Sequence, residues 1–158
     1  MKRITFYLDF FSPHARLAFE ELPCALMGLS YAVRYRPLLL ADIPDCSIIS
    51  MRLLCLAVAS DPGGEPNRYV CESLLQHARS CTADVDANWL ESITRQIAPR
   101  LNPDDAAIQA QLHANGVEAL AHGISSVPAF ELEGQIFCGL YSLPTLRARL
   151  EGTPPFHC

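Results

Sequence analysis

A short strand that passes almost directly into a helix opens the chain. Alternation of apolar and polar residues predicts a strand over residues 3–9 with one apolar face. Ser12 then stands where a helix N-cap belongs, and Pro13 occupies the first helical position, where a missing N–H has no cost. The unpaired N–H groups and the dipole at such a helix N-terminus favour an anion. Ser12 is therefore either a helix cap only or a hydroxyl at a chemical site.

Strands and helices continue to alternate up to residue 40. The helix that begins at Pro13 carries one apolar stripe, and residues 31–38 again alternate between apolar and polar side chains, which predicts a second strand. A strand, a helix and a strand of these lengths form a right-handed unit with two parallel strands.

The middle of the chain has helical periodicity throughout. It predicts four helices, over residues 46–60, over residues 67–79, from a cap at Asp84 or Asp86, and from a cap at Asn102. Gly116 is expected to end the fourth helix, and Gly123 to end a short helix after it. Residues 41–115 are therefore predicted to be an all-helical insertion.

The chain returns to strands after residue 128. Residues 129–133 and 135–138 predict an antiparallel hairpin, and a last helix is expected over residues 143–150, opened by Ser142. This order predicts an α/β fold in which the helical insertion interrupts a smaller domain. The predicted organisation is one domain from residues 1–40 and 116–152, the insertion 41–115, and a C-terminal tail 153–158.

Two motifs resemble those of a known superfamily. Ser12-Pro13-His14-Ala15 resembles the Cys-Pro-His-Cys redox motif of DsbA-type thioredoxin-fold proteins with both cysteines replaced. The string 9–14 is similar to the Asp-Phe-x-Ser-Pro-Tyr segment of one branch of that superfamily, the 2-hydroxychromene-2-carboxylate isomerases and kappa-class glutathione transferases. Further similarity is present at residues 36–39 and 123–130. The resemblance implies a DsbA-like thioredoxin fold for this chain.

The same resemblance implies a glutathione site. In that branch the serine faces the glutathione sulfur, which implies that position for Ser12. The Val127–Pro128 bond would be cis, with the Val127 backbone beside Ser12 and able to pair with glutathione as with an extended peptide. His14 would either stabilise the thiolate, as a second catalytic residue, or be only a solvated first-turn residue. The residues expected around glutathione are Phe11, Pro13, Val127, Pro128 and Ser142.

Composition excludes several other classes of protein. A formal charge of −5 over 158 residues argues against nucleic-acid binding. No apolar run reaches the roughly 18 residues that a membrane span needs. Seven cysteines without a C-x-x-C pair favour reduced thiols in a cytoplasm over a disulfide framework, and they give no zinc-ligand spacing. We therefore expect a cytoplasmic protein without a metal site, and a homodimer is one assembly open to it.

Three functions remain open after these exclusions. The first is a glutathione-dependent isomerase or transferase, in which Ser12 stabilises a thiolate that adds to an electrophilic, aromatic small molecule. The second is a non-catalytic DsbA-like binding module, because residues 40–51 form a shorter segment than in the isomerase branch and Gly139 to Ser142 offer no charged group for the γ-glutamyl end of glutathione. The third is an isomerase that does not use glutathione. Disulfide exchange is not expected, since it needs a thiolate where Ser12 and Ala15 stand.

Overall fold

The computed structural model describes residues 1–39, 47–80 and 87–152. Their four strands are β1 (Lys2–Leu8), β2 (Tyr31–Pro37), β3 (Ala129–Leu132) and β4 (Gln135–Cys138). They form one sheet in the order β2-β1-β3-β4. β1 runs parallel to β2 and antiparallel to β3, and β3 runs antiparallel to β4. The predicted parallel unit and the predicted hairpin are both confirmed.

Helices fill the rest of the described chain. They are α1 (Pro13–Ala25), α2 (Ser47–Ala59), α3 (Arg68–Arg79), α4 (Ala87–Ile97), α5 (Ala106–Ala121) and α6 (Leu143–Glu151), with a 3-10 turn, Leu140–Ser142, directly before α6. The described residues between β2 and β3 contain four helices and no strand, so the helical character predicted for this region is confirmed, whereas the short separate helix expected after Gly116 is part of α5. The predicted caps at Asp84 and Asp86, the start of the insertion at residue 41 and the tail 153–158 lie outside the described residues.

The cap of α5 differs from the prediction. Asp105, rather than Asn102, caps this helix, because its Oδ1 accepts the Ala107 N–H at 3.0 Å. The Asn102 side chain instead accepts the Asp104 N–H at 3.0 Å and closes the turn before the helix. Both side chains are good acceptors for a nearby backbone N–H, so the sequence favours neither position over the other.

Gly116 does not end a helix, contrary to the prediction. α5 runs through it as one helix to Ala121, and Gly123, with φ +82°, follows the helix end. A Cβ at position 116 would lie 3.2 Å from the Leu39 carbonyl oxygen, so glycine lets α5 approach the chain just after β2. The neighbouring Asn115 side chain donates to the Pro37 carbonyl at 2.9 Å. One helix therefore crosses the expected boundary at residues 115/116, and the division into two domains stays a prediction.

Alternation along β1 separates two clusters of buried residues. Ile4, Phe6 and Leu8 face α1 and belong to the main core, which continues without a break into the apolar residues of α2, α3, α4 and α5. Tyr7 points to the other face of the sheet and packs in a smaller cluster with Ala119 of α5. The sheet is therefore covered on both faces, and the chain leaves β1 at the C-terminal end of an inner strand.

Candidate active site

The loop between β1 and α1 is held by one buried carboxylate. Oδ1 of Asp9 accepts the backbone N–H of Phe11 at 2.9 Å and that of Ser12 at 2.6 Å. The Asp9 residue is 7% exposed, so this double contact is an internal feature of the loop. It fixes the direction in which the chain enters α1 and thus the position of the Ser12 side chain.

Ser12 caps α1 and keeps its own proton available. Its Oγ accepts the Ala15 N–H at 3.2 Å, and its carbonyl accepts the Arg16 N–H at 3.1 Å. Within the described part of the chain, the Ser12 hydroxyl hydrogen and the His14 backbone N–H have no acceptor. Two donors are therefore free at the positive end of a 13-residue helix, which is an arrangement suited to an anion.

The predicted cis bond between Val127 and Pro128 is confirmed. Tyr7 pairs with Ala129 in the antiparallel ladder. Pro128 therefore lies at the C-terminal end of β1, from which the chain continues to Ser12. Val127 is half-buried, and its backbone N–H and carbonyl make no hydrogen bond to the described residues. The direct contact between Ser12 and Pro128 stays a prediction.

The residues expected around glutathione differ in exposure. Phe11 and Val127 both pack against the main core, and Pro128 is buried. Pro13 and His14 are exposed on the first turn of α1. A ligand at this edge of the sheet would therefore meet an apolar wall on one side and the helix N-terminus on the other.

Ser142 is connected to the same edge through the backbone. Its Oγ donates to the Gly139 carbonyl at 2.7 Å, and the Gly139 N–H donates to the Pro128 carbonyl at 2.8 Å. Ser142 stands at the N-cap of α6, but its side chain makes no cap hydrogen bond. An anion could receive the Ser142 proton only if the bond to Gly139 broke, so the predicted role of Ser142 in binding stays a prediction.

Asp9 was not among the site residues predicted from the sequence. Burial raises the pKa of its carboxyl, and the hydrogen bonds from Ser12 and Phe11 lower it in part. An ionised Asp9 would repel an anion held at the helix N-terminus. The available signal was an aspartate three residues before a Ser-Pro helix start, a spacing at which the side chain can accept backbone N–H groups.

We expect the Asp9→Asn variant to lose part of the pH dependence of stability. Because the folded pKa of Asp9 lies above its ordinary value of 3.8, the native state keeps this proton to higher pH than the unfolded chain. The contribution of Asp9 to stability is therefore full below pH 3.8 and is lost as the pH rises through the folded pKa. Asparagine can still accept both N–H groups but does not ionise.

Urea unfolding of both proteins across this pH range measures the effect. The free energy of unfolding of the wild type minus that of Asp9→Asn should fall with rising pH and then become flat. A difference that rises with pH would mean that the folded pKa of Asp9 is lowered.

Solved structures identify the fold. Neither a protein-family model nor a curated protein sequence matches this chain. A 2-hydroxychromene-2-carboxylate isomerase is similar over 95% of both chains, with a TM-score of 0.71 and 15% identity. MdbA, a thiol-disulfide oxidoreductase from Corynebacterium diphtheriae, is similar over 94% of this chain and 82% of its own, with a TM-score of 0.61 and 18% identity. Pseudomonas aeruginosa DsbA is similar over 96% and 81%, with a TM-score of 0.59 and 16% identity.

The chain thus has the predicted DsbA-like thioredoxin fold. Proteins of this fold include both an isomerase and disulfide oxidoreductases, so the fold by itself does not select the chemistry. Among the described residues, no group of three His, Cys, Asp or Glu side chains could hold a metal ion, and no helix is long and apolar enough to cross a membrane.

Proposed function

We propose that this protein is a glutathione-dependent isomerase or transferase of the 2-hydroxychromene-2-carboxylate isomerase type. The observation that carries the proposal is the hydrogen bonding of the Ser12 hydroxyl. Its oxygen is already used as an acceptor by the Ala15 N–H, so its hydroxyl is left to act as a donor at the helix N-terminus. A thiolate is one anion that the Ser12 hydroxyl and the helix dipole can stabilise together.

The proposed reaction begins with addition of the glutathione thiolate to an electrophilic carbon of an aromatic substrate. In an isomerisation, the electron pair displaced by the new C–S bond moves into the conjugated substrate, a bond rotates, and the pair returns as the C–S bond breaks and the thiolate leaves. Ser12 holds the thiolate before addition and after release. His14, exposed on the same turn, is proposed as the second catalytic residue, which helps to stabilise the thiolate.

The Val127 backbone is the proposed binding element for glutathione. Its N–H and carbonyl are unpaired among the described residues, and they adjoin the end of β3, so an extended peptide can pair with them. Binding of glutathione would then depend on the Val127 backbone, whereas stabilisation of its thiolate would depend on Ser12. The two functions can therefore be separated by experiment. Glutathione is abundant in reducing compartments, so the proposal fits the cytoplasmic location expected from the cysteine content.

We expect reduced glutathione to bind with millimolar affinity or better in titration calorimetry. S-methylglutathione, which keeps the peptide but has no ionisable thiol, should bind with similar affinity at a pH below the thiol pKa. The control is the tripeptide in which the cysteinyl N–H is methylated, because it cannot pair with Val127 and should bind more weakly.

Absence of heat and of chemical-shift changes at millimolar glutathione would favour the second candidate, a non-catalytic binding module. The specific observation behind that candidate is the Gly139 to Ser142 stretch, which carries no charged side chain and in which the Ser142 proton is already donated to Gly139.

A further inference from the structure

A groove lies along the outer edge of β2, at the far end of α1 from Ser12. It has a volume of about 570 Å³ and is walled by the C-terminal part of α1, by β2 and by residues 65–68. Leu22, which lines it, is ten residues after Ser12, or about 15 Å along the helix. The groove is therefore separate from the candidate active site.

One side of this groove is a strand edge that has no neighbouring strand among the described residues. β2 is the outermost strand on its side of the sheet. The Leu38 N–H bonds to the Leu8 carbonyl, so the even-numbered residues of β2 turn their backbone groups toward β1. Val33 and Tyr35 then turn theirs outward, and these groups make no hydrogen bond to the described residues.

The far end of the edge is closed. Pro37 has no N–H, and its outward carbonyl accepts the Asn115 side chain at 2.9 Å. The accessible part of the edge thus ends at Tyr35. The outward groups of Val33 and Tyr35 repeat at about 7 Å, which is the spacing that an added strand requires.

The charges around the groove are not balanced. Arg34 Nε lies 2.8 Å from a Glu65 carboxylate oxygen but makes no hydrogen bond to it, so the contact is an ion pair. Arg68 has no carboxylate within ion-pair distance among the described residues; it stacks 4.3 Å above the Phe19 ring and donates to the Tyr35 hydroxyl at 3.2 Å. Two guanidinium groups therefore line the groove with one carboxylate, leaving one positive charge.

We propose that the β2 groove binds an extended peptide segment that carries an acidic side chain. The peptide adds to β2 as a fifth strand, pairing with the outward groups of Val33 and Tyr35, and its carboxylate lies against Arg68. A second copy of this chain fits less well, because β2 paired with β2 would bring the Arg34 and Arg36 side chains of two copies close together, and like charges on paired strands are destabilising. The proposal is independent of the chemistry at Ser12.

The probe is a blocked, fluorescein-labelled octapeptide of alternating valine and threonine with one central glutamate, followed by fluorescence anisotropy. We expect saturable binding, about tenfold weaker for Arg68→Gln than for the wild type. Arg95→Gln is the matched control, since Arg95 is an exposed arginine of α4 paired with Glu91. With glutamine in place of the peptide glutamate, Arg68→Gln and the wild type should bind equally.

The edge itself is tested by Val33→Pro. The Val33 N–H points away from β1, so proline at this position removes an outward donor while leaving the β1 pairing intact. We expect loss of peptide binding with little change in thermal stability, and unchanged glutathione binding in both variants.

Three outcomes would overturn the proposal. One is no binding of either octapeptide at millimolar concentration. Another is that the Val33→Pro variant unfolds at the same temperature as the wild type and still binds the peptide with full affinity. The third is a wild-type dimer in sedimentation that Val33→Pro converts to a monomer, which would assign the edge to a second copy of the chain.

Discussion

Replacing Ser12 with alanine is expected to raise the pKa of the thiol of bound glutathione by about one to two pH units. The Ser12 hydroxyl donates a charge-assisted hydrogen bond in the proposed complex, and such bonds contribute about 1.5–3 kcal/mol. One pH unit corresponds to about 1.4 kcal/mol, which gives the expected range. Titration of the thiolate absorbance in the ultraviolet measures this pKa for the two proteins.

The rate of thiol addition should change less than the pKa. At pH 7 the thiolate population would fall about eight- to twenty-five-fold if the thiol returns to an ordinary pKa near 8.5. A thiolate of higher pKa is intrinsically more nucleophilic, however, and this offsets much of the loss, leaving addition about threefold slower. Affinity for glutathione at pH 7 should fall by no more than about fourfold, because the lowered thiol pKa contributes only through the thiolate form and the remaining contacts are to the Val127 backbone.

Two further variants control for the helix cap. Ser12→Ala also removes the acceptor of the Ala15 N–H, which costs about 1 kcal/mol of stability. Asn67→Ala removes the equivalent cap of α3, where Oδ1 accepts the Val70 N–H at 2.9 Å, without touching the site. Ser12→Thr keeps both the cap and the hydroxyl. An unchanged thiol pKa in Ser12→Ala, or an equal change in Asn67→Ala, would remove Ser12 from the mechanism.

The double variant Ser12→Cys, Ala15→Cys should gain a reducible disulfide and catalyse insulin reduction, whereas the wild type should remain at background. The Ser12 Oγ lies 3.2 Å from the Ala15 nitrogen, so the side chain at position 12 already turns toward position 15. Residues three apart on a helix are neighbours, within the Cα separation that a disulfide spans. A thiolate at position 12 would receive the N–H that Ser12 Oγ accepts now, which lowers its pKa and makes it reactive.

The single variants separate this gain from adventitious thiol chemistry. Ser12→Cys by itself should form mixed disulfides but no internal bridge. Cys24, the other cysteine of α1, is exposed but lies about 18 Å from position 12 along the helix, so it cannot serve as the partner. Ala15 is fully buried, and thermal unfolding must therefore show that the double variant is folded. Efficient insulin reduction by the wild type would contradict our view that disulfide exchange has been lost.

The groups around the proposed site have opposite effects on a bound anion. Ser12 and the free His14 N–H favour a negative charge at the helix N-terminus, while the Asp9 carboxylate directly beneath opposes it. Burial raises the pKa of Asp9, which lessens this opposition. Asp9 therefore contributes to the site mainly by holding the loop.

Local signals in the sequence determined most of the helices and strands and the start of α1 at Ser12. The alternation of β1, the Ser12–Pro13 helix start and the hairpin over residues 129–138 each depend on residues close together in the sequence, and each is present within one residue of its predicted position. The resemblance of the Ser-Pro-His and Val-Pro motifs supplied the fold and the cis bond before Pro128. These features needed no knowledge of distant neighbours.

Only the tertiary structure decided the remaining features, because they depend on residues far apart in the chain. Gly116 remains helical although glycine disfavours helices by about 1 kcal/mol, and its reason is the Leu39 carbonyl, which lies against it. Asp9 became part of the site through its burial and its two backbone hydrogen bonds. The open edge of β2 follows from the strand order, and the unpaired charge of Arg68 from where α3 begins. A local pattern specifies which element a residue joins, whereas the partner of a buried or edge group is set by packing.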